Sequence, residues 1–254
     1  MRVGILGTGI IGSSIALACR ERGDAVVGYD ADGRTLDLAL GNGVVEAAAT
    51  RDDMYGGCDV VVIALPLDAT IEEVRSLRER EFQDGQVVID VASVKGPVEE
   101  AGRAIAAFVP THPMAGSEQR GPAGARADLF EGRSWCYVPT EDQERTHMAR
   151  AFIDRTGAHS YPVDAREHDR IVALTSHLPQ AIAYAFKACI EGGAVDSRTI
   201  DALCGPVAQE LLRIGSSSHA MWDPVFEANA AAIGEALDRL ESELRRTLEK
   251  DIGI

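Results

Sequence analysis

The chain has 254 residues, 46% of them hydrophobic and 26% charged, with a formal net charge of -15. That length suits one large or two modest domains, and the apolar fraction is enough for a packed core. So acidic a chain argues against nucleic-acid and anionic-membrane partners, which need a basic face, but leaves room for a small anion held by one arginine or a helix end. The five cysteines (Cys19, Cys58, Cys136, Cys189, Cys204) include no C-x-x-C pair and no zinc-type histidine spacing. No metal is therefore expected, and the thiols read as those of a reducing cytoplasm. The start has no signal-peptide pattern, and no apolar run reaches the roughly 18 residues of a membrane span.

Residues 2–7 read as a buried strand, 11–22 as a helix and 25–29 as a second strand. Residues 59–65 and 86–91 are two more strands. Their unbroken β-branched runs imply coverage on both faces, as in a parallel sheet. Helices fit around 69–80 and 97–107, so strands alternate with helices in the manner of a doubly wound α/β domain. Later strands are expected at 134–138 and 158–163, with a helix over 141–156 between them. Beyond residue 164 only Ala- and Leu-rich helical segments follow. One carries an amphipathic stripe of Ile233, Ala236, Leu237, Leu240 and Leu244.

Gly7-Thr8-Gly9-Ile10-Ile11-Gly12 is G-x-G-x-x-G between a strand and a helix, and Asp30 ends the next strand. In that setting Gly7 permits a tight turn, Gly9 lets backbone N–H groups approach a pyrophosphate, and Gly12 allows close helix packing. The helix N-terminus adds partial positive charge. Asp30 is expected to accept from an adenosine ribose, favouring NAD, while nearby Arg34 leaves NADP possible. Leu65 and Pro66, at the carboxyl end of a central strand, are candidates to lie beside the nicotinamide. The expected architecture is a Rossmann-type dinucleotide-binding domain over residues 1–163. An all-helical domain for substrate binding and dimerisation is expected over 164–254.

The D-x-x-S-x-K run from Asp90 to Lys95 ends the fourth strand, and Thr111-His112-Pro113-Met114-Ala115-Gly116-Ser117-Glu118 follows the next. Both segments are expected at the cofactor edge of the sheet, where Ser93 and His112 meet. Histidine is a natural base near pH 7, and a serine hydroxyl can hold it in one tautomer. On spacing alone, a lone histidine before proline is more often structural.

Together with Ser176-His177-Leu178-Pro179, Leu211-Leu212-Arg213-Ile214, Met221-Trp222 and Asn229, these motifs resemble the prephenate/arogenate dehydrogenase family of tyrosine biosynthesis. The resemblance covers essentially the whole chain in the right order. It implies NAD(P)-dependent oxidative decarboxylation of a cyclohexadienol. His112 would deprotonate the 4-hydroxyl as hydride leaves C4, and Ser93 would orient His112. Arg213 would bind a substrate carboxylate, to which its planar fork is suited. Ser117 and Glu118 would line the site, His177 and Trp222 would lie near the substrate, and Lys95 would neutralise an anion or pair with Asp90. A surface ion pair with Glu210 or Asp223 is the competing reading for Arg213. Many relatives read S-H-L-P-H, but the fifth position here is Gln180, expected to face the substrate side chain. Its amide can donate to the keto-acid tail of prephenate or accept from the amino group of arogenate, and the choice between the two stays open. A homodimer through the helical half is expected, with no chorismate mutase or regulatory domain. The competing functions are a β-hydroxyacid dehydrogenase or imine reductase, and a non-catalytic dinucleotide-binding protein. The first two would need a catalytic lysine or aspartate on the first helix of the second domain. Lys187 lies in no such motif.

Overall fold

Short apolar runs set the centre of the molecule, because strands buried on both faces cannot alternate polar and apolar residues. In the computed structural model, which describes residues 1–116, 121–193, 199 and 203–252, six strands pair in parallel, all but the exposed β3 largely buried. They are β1 (Arg2–Leu6), β2 (Ala25–Tyr29), β3 (Ala47–Ala48), β4 (Val60–Ile63), β5 (Val87–Asp90) and β6 (Phe108–Val109), in the order β3-β2-β1-β4-β5-β6. The strand order reverses between β1 and β4, which opens a crevice at the carboxyl edge of the sheet. Val3, Ile5, Val26, Val62 and Ile89 are buried. Each contributes roughly 1.5–3 kcal/mol of apolar burial.

The helices of this region are α1 (Ile10–Glu21), α2 (Gly33–Gly41), α3 (Arg51–Gly57), α4 (Leu67–Ser76) and α5 (Gly96–Gly102). Periodicity does not announce α2 and α3, since α2 buries only Ala39 and α3 only Met54 and Tyr55. Their caps do. Asp32 accepts from the Arg34 amide, and Thr50 with Asp53 forms a reciprocal capping box. The helix expected over 97–107 stops at Gly102, where a Cβ would stand 2.1 Å from the Phe108 ring.

The later strands leave the main sheet. β7 (Thr111–Pro113) pairs antiparallel with β8 (Ser134–Tyr137), and β8 pairs in parallel with β9 (His159–Pro162). Helix α6 (Gln143–Arg155) lies between β8 and β9 in sequence. Trp135 is fully buried against Phe130, ring centroids 5.0 Å apart.

The chain divides into two compact units, Met1–Arg166 and Glu167–Ile254. The second is helical throughout its described residues. Helix α7 (Ala165–Val172) runs through a π-helical turn, Ala173–His177, into α8 (Leu178–Glu191). Pro179 explains the wide turn, because it has no N–H to donate and its ring crowds the carbonyl four residues back. Helices α9 (Pro206–Ile214), α10 (His219–Ala228) and α11 (Ala230–Thr247) follow. They bury little: nothing on α9, Val225 on α10 and Ala236 on α11. Of the amphipathic stripe on α11, Leu237 and Leu244 stand exposed.

Candidate active site

Gly7 occupies φ +97°, and a Cβ there would lie 2.3 Å from the Ala64 carbonyl oxygen, so the turn accepts only glycine. A Cβ on Gly12 would meet the Gly7 oxygen at 2.0 Å, which is the close helix–strand approach the motif requires. Gly9 has no neighbour within 4 Å of such a position. Open space therefore lies over the loop where a phosphate must approach. Helix α1 has no side-chain N-cap and no acidic residue in its first turn. Its early N–H groups suit an anion, and this loop fits a pyrophosphate.

Asp30 does more than the sequence suggests. Its carboxylate accepts from the Thr8 amide at 2.7 Å, the Thr8 hydroxyl at 3.0 Å and the Asp32 amide at 3.0 Å. Buried Thr8 thereby ties the glycine loop to the end of β2. Leu65 reaches the loop as well, its Cδ2 standing 3.1 Å from the Gly7 Cβ position. Pro66 caps α4, and the Thr70 hydroxyl donates to the Leu65 carbonyl at 3.0 Å, fixing that turn. The loop residues Gly7, Thr8, Gly9, Ile10, Ile11 and Gly12 thus share the carboxyl edge of the sheet with Asp30, Leu65 and Pro66.

Ser93 and His112 come from separate elements that a buried ionic network joins. Asp90 and Lys95 are both fully buried and form an ion pair. Asp90 also accepts from the Ala92 amide at 2.8 Å and the Thr111 amide at 2.9 Å. The Lys95 ammonium donates to the Thr111 carbonyl at 2.6 Å, and the Thr111 hydroxyl donates to the Asp90 carbonyl. The Trp135 indole N–H completes the set by donating to the Thr111 hydroxyl at 2.9 Å. Ser93 is half-buried between Ala92 and Lys95, and half-buried His112 follows Thr111 directly. Holding Asp90, Lys95 and Thr111 therefore holds the backbone on both sides of the proposed catalytic pair. Of the two readings for Lys95, the structure displays the pairing with Asp90. Trp135 carried no sequence signal for this role.

Cys136 lies opposite His112 in the β7–β8 register. Burial pushes its thiol up, so it stays protonated near neutrality and is a poor nucleophile.

In the helical unit, Arg213 forms a bidentate pair with Glu210, at 2.8 and 2.5 Å. This is the surface ion pair weighed from the sequence. It holds the exposed Glu210 carboxyl below its usual range. Gln180 is buried and donates to the Ile214 carbonyl at 2.9 Å, bracing α8 against the end of α9. His177 is 1% exposed. Its Nδ1 lies 3.1 Å from the Asn229 amide nitrogen, which also donates to the Asp169 carbonyl at 2.8 Å. Burial is the largest influence on the His177 imidazole, which is lowered to about 4, so the ring is neutral at pH 7 and accepts from Asn229. The Trp222 ring meets His177 edge-on, and its indole N–H is buried with no acceptor among the described residues. Ser117 and Glu118 lie outside the described residues. No metal-binding group of His, Cys, Asp or Glu occurs among the described residues, and no helix there is long and apolar enough to cross a membrane.

A reversed-order parallel sheet, a fitting glycine loop and a histidine strand define a nicotinamide-dependent oxidoreductase built on a Rossmann-like domain with a helical C-terminal region. The nucleotide-binding domain of prephenate dehydrogenase matches residues 15–162, and the prephenate dehydrogenase dimerization domain matches residues 164–250. The chain belongs to the prephenate dehydrogenase family. A probable prephenate dehydrogenase of Streptomyces niveus is 31% identical, covering 98% of this chain and 68% of that protein. The cyclohexadienyl dehydrogenase of Zymomonas mobilis is 29% identical, covering 96% of this chain and 86% of that protein. The crystal structure of A. aeolicus prephenate dehydrogenase, in complex with hydroxyphenyl propionate and NAD+, superposes with a TM-score of 0.88 at 25% identity. It covers 98% of this chain and 90% of that one. Family membership sets aside the β-hydroxyacid dehydrogenase, imine reductase and non-catalytic readings.

Proposed function

We propose that the chain oxidises and decarboxylates prephenate, arogenate or both, giving 4-hydroxyphenylpyruvate or tyrosine, CO2 and reduced cofactor. The observation that carries this reading is the Asp90–Lys95–Thr111 network, which braces the segments bearing Ser93 and His112 beside a dinucleotide loop. When bound, the nicotinamide supplies a hydride acceptor. His112 takes the proton of the 4-hydroxyl as hydride departs from C4, and Ser93 orients the imidazole and touches the same hydroxyl. The bond from the ring to its carboxylate then breaks, and its electrons aromatise the ring as CO2 leaves. Arg213 exchanges the Glu210 carboxylate for a substrate carboxylate, one bidentate partner for another. The Trp222 N–H, which has no acceptor among the described residues, offers a further donor for the substrate. Gln180 acts on substrate choice through the helix end it braces, and Ser117 and Glu118 contribute to substrate binding. His177, a neutral acceptor for Asn229, lies near the substrate. Asp30, with a carboxylate at the ribose position, favours NAD over NADP.

A homodimer through the helical unit is part of the same reading. Val207 and Leu203 are about four-fifths exposed, beside an apolar groove of about 370 Å3 lined by Phe186, Pro206 and Leu211. A second copy is the expected cover. Free thiols at all five cysteines fit a cytoplasmic enzyme. The deciding experiment follows reduced-cofactor formation with prephenate and with arogenate, each with NAD and NADP. Folded, cofactor-binding protein that turns over neither substrate would overturn the proposal.

A further inference from the structure

Helix α9 buries none of its residues, so apolar packing does not fix the end that carries Arg213. Side chains of α8 do. Gln180, Ala183, Tyr184 and Lys187 lie at i, i+3, i+4 and i+7, which is one face of a helix, and that face meets the turn after Arg213. Gln180 donates to the Ile214 carbonyl at 2.9 Å, the Tyr184 hydroxyl to the Ser217 carbonyl at 3.1 Å and the Lys187 ammonium to the Ser216 hydroxyl at 3.3 Å. A helix leaves its last carbonyls without partners further along, and here Gln180 supplies one. Gly215 lets the two segments close, because a Cβ there would stand 2.5 Å from the Ala183 carbonyl oxygen.

Tyr184 also reaches a second element, with the face of its ring. The ring stacks on His219, the first residue of α10, with centroids 4.2 Å and planes 14° apart. It meets Phe226 of the same helix edge-on at 6.1 Å, and Phe226 in turn packs against Trp222 at 5.6 Å. We propose that Tyr184 is the positioning residue for the groups that hold the substrate carboxylate. Its hydroxyl sets the helix end that bears Arg213, and its ring sets the helix that bears Trp222, so both donors address one ligand at a fixed spacing. This rests on the reading of Arg213 and Trp222 as substrate-binding residues and adds the side chain that keeps them in register.

A phenol suits this task. It joins a rigid aromatic plane to a hydroxyl at the tip, so one side chain can hold two elements at once. Burial, with the Asp223 carboxylate nearby, pushes the Tyr184 phenol up from its ordinary value, so the hydroxyl remains a donor near neutrality. Bidentate pairing of arginine with a carboxylate is geometrically exacting. Movement of the helix end therefore weakens substrate binding before it alters the chemical step. Phenylalanine at this position keeps the stack and loses the hydroxyl, whereas leucine keeps apolar bulk and loses both.

Steady-state kinetics at saturating cofactor, with whichever of prephenate and arogenate is turned over, test the role. Tyr184→Phe is expected to raise KM roughly three- to tenfold, the range of one hydrogen bond, with kcat within about twofold of its original value. Tyr184→Leu should raise KM further, because it also frees α10. In an Arg213→Ala background, Tyr184→Phe should leave KM within about twofold, since the group it places is gone. An unchanged KM in both Tyr184 variants, or the same rise with and without Arg213, would overturn the positioning role. A fall in kcat at unchanged KM would overturn it as well. Should Arg213→Ala itself leave KM unaltered, the carboxylate reading beneath would fail and take the positioning role with it.

Discussion

The two units of the chain use their helices in opposite ways. In Met1–Arg166 the strands β4, β5 and β6 are buried end to end, and even polar Asp90, Lys95, Thr111 and Thr8 are fully enclosed with partners. In Glu167–Ile254 the last three helices bury only Val225 and Ala236 between them, while Val207, Met221, Leu237 and Leu244 face outward. A small helical unit has limited surface to hide within itself. The first unit therefore holds its polar network within itself, whereas the second leaves apolar side chains exposed among its described residues.

The strongest way to break this contrast is to remove a charge from the enclosed network. Lys95→Met leaves Asp90 buried without its counter-ion and is expected to cost about 3–5 kcal/mol, read from the urea midpoint. Adding Asp90→Asn in the same chain should recover part of that loss, and a purely additive result would deny the coupling. His112→Asn should leave the fold intact and lower kcat by roughly 10²–10⁴, the usual range for a general base. Retained turnover would remove His112 from its proposed role.

The helical unit should respond most to pH. Burial lowers the His177 pKa to about 4 in the folded chain, against an ordinary histidine value of 6.5. Between those values the unfolded chain binds more protons, so the stability this group contributes is present above about pH 6.5. It is lost as pH falls toward about 4, by an amount on the order of 3 kcal/mol. Urea midpoints taken from pH 7.5 to 4.5 should show this slope, and His177→Gln should flatten it. An unaltered slope in the variant would assign the acid sensitivity elsewhere.

Smaller effects sharpen the difference between enclosed and exposed charge. Arg213→Ala removes a surface pair worth about 0–1 kcal/mol of stability. It should nonetheless raise the Michaelis constant roughly ten- to hundredfold, as expected for charge-assisted bonds of about 1.5–3 kcal/mol. Val207→Asp should leave the unfolding midpoint of dilute protein almost unchanged while shifting sedimentation from dimer to monomer. Sedimentation that does not change would place the cover of that face elsewhere.

The central strands and the glycine loop were legible because their signals are local: β-branched runs report two-sided burial, and only glycine tolerates the turn at Gly7. The likeness to the family rested on several such local signals occurring in one order. The strands β3 and β7 were not legible, being two or three residues long, and β6 was expected only as the strand before Thr111, without bounds. Other facts belong to tertiary structure alone. Asp30 fastens Thr8, Trp135 donates to Thr111, Arg213 rests on Glu210, and Tyr184 stacks on His219. Each joins side chains whose meeting depends on how elements pack, and a sequence records which groups exist but not which of them share a buried, low-dielectric space. Local geometry thus set the cofactor loop and the order of the elements, while packing decided which charges became a rigid frame for the proposed catalytic pair and which stayed free to exchange partners.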